Sequence, residues 1–308
     1  MVSILTLASR SRHARLKLLD YYLQRAVTSR RLRRAATRAT IAVLHRLHGS
    51  PARATLPDPL QQAPHAAATP PALQALRERG IAPLGRLLPP AHCAEVRAWL
   101  RHRDLVAARG DGRTFRLDSA PPGVGIGDVP LGIVVDCPHI MALANHPTML
   151  RLARDYLGYT PIITLIGLRW SFAGAAADGM VQAFHRDSEP GCIKMLVYLT
   201  DVDALSGPHS FVAGSHRDRM PLRLRRYEDD EVARTHGAAE VVTGAAGTAF
   251  AIDSKGIYKG TPPARGARLL LVVQYSLLPC LLYDYTPLPY RGGGVFDRYV
   301  NRLVIEQR

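Results

Sequence analysis

The spacing of hydrophobic positions changes along the chain. In the first half they recur at helical intervals. Leu16, Leu19, Leu23 and Val27 form one helical stripe, and Leu32, Ala35, Ala36, Val43 and Leu47 form a second, with Ser29 placed to cap it. Leu73 to Gly80 reads as a short helix stopped by glycine, Ile81 to Leu84 as a strand, and Ala91 to Leu105 as a helix with Val96, Leu100 and Leu105 inward. Pro147 to Leu157 has proline at its start and Gly158 just past its end, the asymmetry of a helix. From Ile162 onward the pattern shortens into β-branched or alternating runs: Pro161 to Trp170, Cys192 to Thr200, Ser210 to Ala213, Ala239 to Val242, Thr248 to Ile252 and Leu269 to Leu278. Phe296, Tyr299, Val300, Leu303 and Val304 then mark one face of a closing helix over Val295 to Val304. Short strands separated by turn signals after a helical preface predict a mainly β domain, a sandwich or barrel with flanking helices.

Breaks in this pattern divide the chain. Residues 51–72 are rich in Ala and Pro, cannot pack a core, and read as a linker between residues 1–50 and a main domain over 73–308. The Gly/Pro-rich stretch Gly110 to Gly132 reads as a loop. Its Gly123-Val124-Gly125-Ile126-Gly127 is no dinucleotide fingerprint, because Pro130 and Gly132 stand where a helix would have to begin.

Charge sharpens the division. The chain carries 40 Lys+Arg and 25 Asp+Glu in 308 residues, a net charge of +15. Residues 1–50 hold eleven of the basic residues and one acid, Asp20, so 11 − 1 = +10 falls on that segment. A basic helical extension of this kind suits either an anionic membrane or polymer surface, or a helical hairpin packed on the main domain. No aromatic residues interleave its arginines as a nucleic-acid platform would require. No apolar run reaches the roughly 20 residues of a membrane span. Arginines follow the first apolar stretch instead of preceding it, the wrong order for a secretory signal. Cys93, Cys137, Cys192 and Cys280 are scattered without a C-x-x-C pair, which suits buried thiols in a reducing compartment. A cytoplasmic protein, with peripheral membrane association through residues 1–50 as an option, is the expectation.

The chemistry centres on Gln182-Ala183-Phe184-His185-Arg186-Asp187. In an extended segment, positions i and i+2 project to the same side, so His185 and Asp187 can offer an imidazole and a carboxylate to one metal ion. Lys194 and Tyr198 share a face of the next strand by the same period. Neither a G-x-S-x-G elbow, a P-loop nor an H-E-x-x-H motif is present. The acid run Glu228 to Glu231 reads as a solvated helix start.

Downstream come Lys194 to Asp203, Gly207-Pro208-His209-Ser210, Ala213-Gly214-Ser215-His216-Arg217, Gly247-Thr248-Ala249-Phe250, Asp253 to Pro263 and Arg268-Leu269-Leu270-Leu271. In this order, over roughly residues 73–280, the set resembles the phytanoyl-CoA dioxygenase family. That resemblance implies a double-stranded β-helix (a cupin-like jelly-roll) and an Fe(II)- and 2-oxoglutarate-dependent oxygenase that uses O2 to hydroxylate a small-molecule substrate. His185 and Asp187 match the family's proximal metal ligands, and Arg268 matches the arginine that clamps the far carboxylate of 2-oxoglutarate. Lys194 and Tyr198 then have either cosubstrate contact or a structural role, and Trp170 and Gln182 are candidates for the pocket wall. Residues 216–240 read as the mouth or lid of the site, where substrate choice would be set.

One position departs from the family. Tyr258, ten residues before Arg268, stands where the distal histidine ligand belongs. A phenol with pKa of about 10 is a poor ligand until it loses its proton. Three readings follow: an active oxygenase with a His/Asp/Tyr or His/Asp site; a third ligand from His209, His216 or His236; or a catalytically silent pseudoenzyme that keeps a pocket for an organic acid or metabolite.

Overall fold

A computed structural model describes residues 22–48, 69–108, 112–174, 182–189, 191–218, 222, 224–280 and 283–307. Leu16 and Leu19, and the linker up to residue 68, lie outside them. The helical preface comprises α1 (Arg30–His48), α2 (Thr69–Arg79) and α3 (Pro90–Leu100), with β1 (Ile81–Arg86) between the last two. β2 (Asp104–Ala107), β3 (Thr114–Arg116) and β4 (Ile126–Asp128) follow, then α4 (Leu131–Asp136), α5 (Ile140–Ala144) and α6 (Pro147–Leu157). The second half holds β5 (Ile162–Phe172), β6 (Cys192–Tyr198), β7 (His209–Phe211), α7 (Asp229–His236), β8 (Glu240–Val242), β9 (Thr248–Ile252), β10 (Tyr258–Gly260) and β11 (Ala267–Ser276). β12 (Leu288–Pro289), α8 (Arg298–Asn301) and β13 (Ile305–Glu306) close the chain.

Eight strands form one sheet in the order β1-β9-β6-β11-β5-β4-β2-β3, and β10-β7-β8 form a smaller sheet facing it. This is the jelly-roll arrangement that the order of motifs implied, mainly β with helices on one side. Alternation on the central strand β11 explains the layering. Leu269, Leu271, Val273 and Tyr275 pack into the core shared with the helices, whereas Leu270 points into a second core between the two sheets. That second core, with Leu196, Tyr198, Phe211, Phe250 and Tyr258, surrounds the chemistry.

α6 forms where its punctuation placed it. Pro147 opens the first turn, His146 Nδ1 accepts a hydrogen bond from Thr148 N at 3.2 Å, and Gly158 adopts φ 82° to close the end. Four expectations are corrected. The helix expected over Ala91 to Leu105 stops at Leu100, and Leu105 is buried in β2, because pairing with β3 and β4 outweighs helical spacing. The stretch read as a loop contains β3 and β4, where Gly127 pairs with Ala107 and Trp170 and a Cβ would lie 2.8 Å from Phe115 Cζ. The closing helix shortens to Arg298–Asn301, capped by Asp297, before the chain extends into β13. α2 starts at Thr69, inside the stretch read as linker, and buries Ala72.

α1 docks on the main domain, and Ser29 Oγ accepts from Leu32 N at 3.4 Å at its start. Its packed stripe differs from the one read in the sequence. Arg30 donates to the His216 carbonyl and Arg33 to the Ser188 carbonyl, while Ile41 and Leu44 meet the core farther along. Leu32, Val43 and Leu47 are 62%, 53% and 71% exposed, against 9% for Leu44. Among the described residues no helix is long and apolar enough to cross a membrane. All four cysteines are buried and outside any disulfide.

Candidate functional site

The H-x-D segment lies beside the small sheet. His185 N donates to Tyr258 O at 3.0 Å and Tyr258 N donates to His185 O at 3.1 Å, so an antiparallel bridge sets the two side chains together. Asp187 N donates to Ser254 O at 2.8 Å, fixing the third position of the motif. Period-2 geometry therefore does bring His185 and Asp187 to one side: His185 Nε2 stands 3.9 Å from Asp187 Oδ1.

The proton positions follow from the partners. A carbonyl can only accept, so the 2.9 Å contact of His185 Nδ1 with Ala183 O puts the hydrogen on Nδ1 and leaves a lone pair on Nε2. Burial pushes the imidazolium pKa down, against the pull of Asp187, so the neutral ring is favoured. The other carboxylate oxygen is engaged elsewhere. Lys194 Nζ lies 2.6 Å from Asp187 Oδ2, and the Tyr258 hydroxyl donates to the same oxygen at 3.0 Å while accepting from Lys194 Nζ at 3.0 Å. Burial alone would raise the Asp187 pKa, but the Lys194 ammonium first, then the neighbouring imidazole and these hydrogen bonds, hold it below the usual carboxylate range. Lys194 stays an ammonium for the reciprocal reason: burial disfavours its charge and Asp187 more than restores it. Tyr258 remains a phenol, its pKa raised by burial and then by the neighbouring carboxylate.

A second group of polar side chains occupies the same inter-sheet space nearer the start of β11. Arg268 is 2% exposed. One guanidinium nitrogen donates to Gly207 O, another donates to Ser171 Oγ at 3.0 Å, and Nε has no partner. No carboxylate pairs with it among the described residues, and burial lowers its pKa to about 10. His209 sits beside it, since a Cβ on Gly260 would lie 3.3 Å from both Arg268 Nη2 and His209 Cε1. Burial first, then the charges of Arg268, His185 and Lys194, drive the His209 pKa well below its ordinary value, and Nδ1 is left unpartnered. Tyr198 donates to Val242 O at 2.8 Å and accepts from His209 N at 2.9 Å, and burial raises its pKa to about 12.

His185, Asp187, Lys194 and Tyr258 thus form one cluster, and Arg268, Tyr198 and His209 another. Lys194 faces inward as its period requires but reaches Asp187, and Tyr198 spends both hydrogen-bonding functions on the backbone. Trp170 is a correction to the pocket wall: it packs in the outer core with the helices, on the opposite face of β5 from Ser171. Gln182 is buried. Among the histidines weighed as third ligand, His216 Nε2 contacts Arg77 O at 3.1 Å and His236 Nδ1 lies 4.0 Å from Asp218, both away from Asp187. His209, weighed as a third ligand, flanks Arg268 instead. Ser171, passed over in the sequence, is the cross-strand partner of Arg268 in the β5–β11 register, a pairing that strand alternation alone does not reveal.

Comparison with known proteins agrees with this architecture. A family model described as phytanoyl-CoA dioxygenase matches residues 76–263. No curated protein sequence matches the chain. Among solved structures, the non-heme alpha ketoglutarate dependent epimerase SnoN from nogalamycin biosynthesis is 19% identical, with a TM-score of 0.53 over 75% of this chain and 90% of its own. EctD from S. alaskensis with bound Fe is 17% identical, with a TM-score of 0.53 over 80% of this chain and 90% of its own. HygX from Streptomyces hygroscopicus, solved with nickel, 2-oxoglutarate and hygromycin B, is 16% identical, with a TM-score of 0.50 over 76% of this chain and 96% of its own. At these identities the likeness establishes the fold.

Proposed function

Because the chain belongs to the phytanoyl-CoA dioxygenase family, whose members depend on Fe(II), 2-oxoglutarate and O2, we propose that it is a 2-oxoglutarate-dependent oxygenase with two protein ligands to iron. The reaction we assign is hydroxylation of a small molecule. Arg268 carries this reading. A buried guanidinium without an acid partner is costly unless an anion joins it, and its fork suits one carboxylate of a dicarboxylic acid.

The donor set fits a divalent ion in a particular way. His185 Nε2 presents a lone pair, Asp187 Oδ1 faces it, and Asp187 Oδ2 is held by Lys194 and Tyr258. Tyr258 in this arrangement is a hydrogen-bond donor that orients the carboxylate, not the third ligand, since a phenol retaining its proton is a weak donor to Fe(II). When bound, iron supplies the activation of O2 that couples decarboxylation of 2-oxoglutarate to oxidation of a C–H bond. The chain's own part is positioning. Arg268 and Ser171 hold the far carboxylate, His209 fills the space beside them, and Leu270, Phe250 and Leu196 exclude water. Substrate choice would fall to residues 216–240, which are tied to the H-x-D segment through Tyr227 N donating to Phe184 O at 2.8 Å.

The 2.6 Å Lys194–Asp187 contact favours a second reading, in which an ammonium takes the place of the metal charge and the protein binds an organic acid without turnover. Anaerobic Fe(II) titration with 2-oxoglutarate, followed by the visible metal-to-cosubstrate charge-transfer band, separates the two. The oxygenase reading expects the band in the wild type, retained in Tyr258→Phe with Fe(II) affinity about 10–100-fold weaker, the usual effect of losing an outer-shell partner. A band in Tyr258→His alone, with metal-free calorimetric binding of 2-oxoglutarate by the wild type, would establish the binder instead.

A further inference from the structure

α1 carries its charge against the usual sense of a helix. The N-terminal end is the positive pole, where basic side chains are disfavoured. Yet Arg30, Arg31, Arg33 and Arg34 crowd its first two turns, and no acid stands in the first. The cleft between α1 and the main domain, about 330 Å³, receives Arg30, Arg33, Arg34 and Arg38 from the helix. Its facing wall adds Arg77 from α2, Arg217 from the turn after β7 and Lys255 from the β9–β10 turn. Four separate chain segments thus converge their cations on one concave surface.

Arg34, Arg38, Arg77 and Arg217 form no ion pair among the described residues. Two acids, Glu189 and Asp253, share the cleft. Asp253 already accepts from the Tyr156 hydroxyl at 2.6 Å and from Lys255 N at 2.9 Å, and its Oδ2 lies 3.8 Å from the Lys255 ammonium. Arg30 donates to His216 O, and Arg33 donates to Val27 O, Gln24 O and Ser188 O, which fixes the orientation of both guanidinium groups. Burial, then the nearby Arg186, lowers the Arg30 pKa to about 10. Tyr156, Leu157 and Ile41 add an apolar floor.

We propose that this cleft is a binding site for a small ligand carrying phosphate groups, seated between α1 and the end of the barrel. Guanidinium forks match phosphate oxygens bidentately, and a cleft lined by one sign of charge concentrates the field on its occupant. The helix pole adds to the same potential. Volume and concavity favour a compact anion over a membrane surface or an extended polymer. The site is distinct from the space between His185 and Arg268, and α1 lies outside the residues matched by the family, so the proposal stands whether or not iron binds.

Inorganic pyrophosphate is the probe, titrated into the full chain at constant ionic strength while the melting temperature is followed. A saturable rise is expected in the wild type. Arg34→Gln/Arg38→Gln, both exposed positions at the cleft, should weaken the apparent affinity at least tenfold, and Arg217→Gln on the facing wall should weaken it as well. Arg31→Gln/Arg46→Gln removes the same charge from the same helix away from the cleft and should change it less than threefold. No saturable rise, or equal losses in the two double variants, would overturn the proposal. Unliganded melting temperatures confirm that each variant is folded.

Discussion

Replacing Arg268 by methionine separates a structural arginine from one that waits for an anion. The residue is 2% exposed, with no acid partner among the described residues. Its pKa of about 10 lies far enough below the ordinary value to cost about 3 kcal/mol for carrying the charge in the folded state, an order-of-magnitude figure. Methionine removes that cost and fills similar volume. It also removes the hydrogen bonds to Gly207 O and Ser171 Oγ, and leaving buried acceptors unpaired costs about 1–3 kcal/mol. The two effects nearly offset. Without cosubstrate, Arg268→Met should therefore be as stable as the wild type or more stable by up to about 2 kcal/mol in urea denaturation at pH 7. With 2-oxoglutarate at a hundred times its Kd the wild type should gain about 2.7 kcal/mol and the variant nothing. Loss of about 3 kcal/mol or more in the ligand-free variant would refute the reasoning, because it would mean that the fold itself satisfies the guanidinium.

Other outcomes follow from the same contacts. His209, His185 and His216 all have depressed pKa values, chiefly through burial, so below about pH 6.5 the unfolded chain takes up protons that the folded one refuses. Stability should fall as pH drops through that point, by up to about 1.4 kcal/mol per pH unit for each histidine, and His209→Gln should remove one such increment; an unchanged slope would contradict it. Leu44→Ala should cost about 2–3 kcal/mol and Leu47→Ala less than about 0.5, read from denaturation midpoints, because only the first is packed; equal costs would mean that α1 docks by its other face. Gly256→Ala would bring a Cβ within 2.3 Å of the buried Phe211 ring and should destabilise by about 1–3 kcal/mol, whereas Gly293→Ala meets open space and should be close to neutral.

Much of this protein was legible in its one-dimensional pattern. Apart from β10, which no hydrophobic run announced, the strands around the site fall within one or two residues of their hydrophobic runs, as Thr248–Ile252 and Cys192–Tyr198 illustrate, because a strand buried on both faces has to be apolar over its length. His185 and Asp187 share a side because alternation is a local property of extended chain. α6 is delimited by proline and glycine, whose backbone limits act within a residue or two.

Partners and faces were decided elsewhere. Period 2 turned Lys194 inward, but only the approach of β10 to the H-x-D segment placed its ammonium on Asp187 and the Tyr258 hydroxyl on the same oxygen. Leu105 joined a sheet because β3 and β4 came to pair with its strand. Trp170 went to the helical layer because the eight-stranded sheet has two buried faces, and an apolar residue does not say which one it occupies. On α1 Leu32, Val43 and Leu47 stayed in solvent while Arg30 and Arg33 turned inward, since the domain offered carbonyl oxygens there. The sequence by itself determined which segments extend, which coil and which residue types meet at i and i+2. Tertiary structure alone decided what each side chain touches, because contacts between residues far apart in the chain depend on how whole sheets and helices settle against one another.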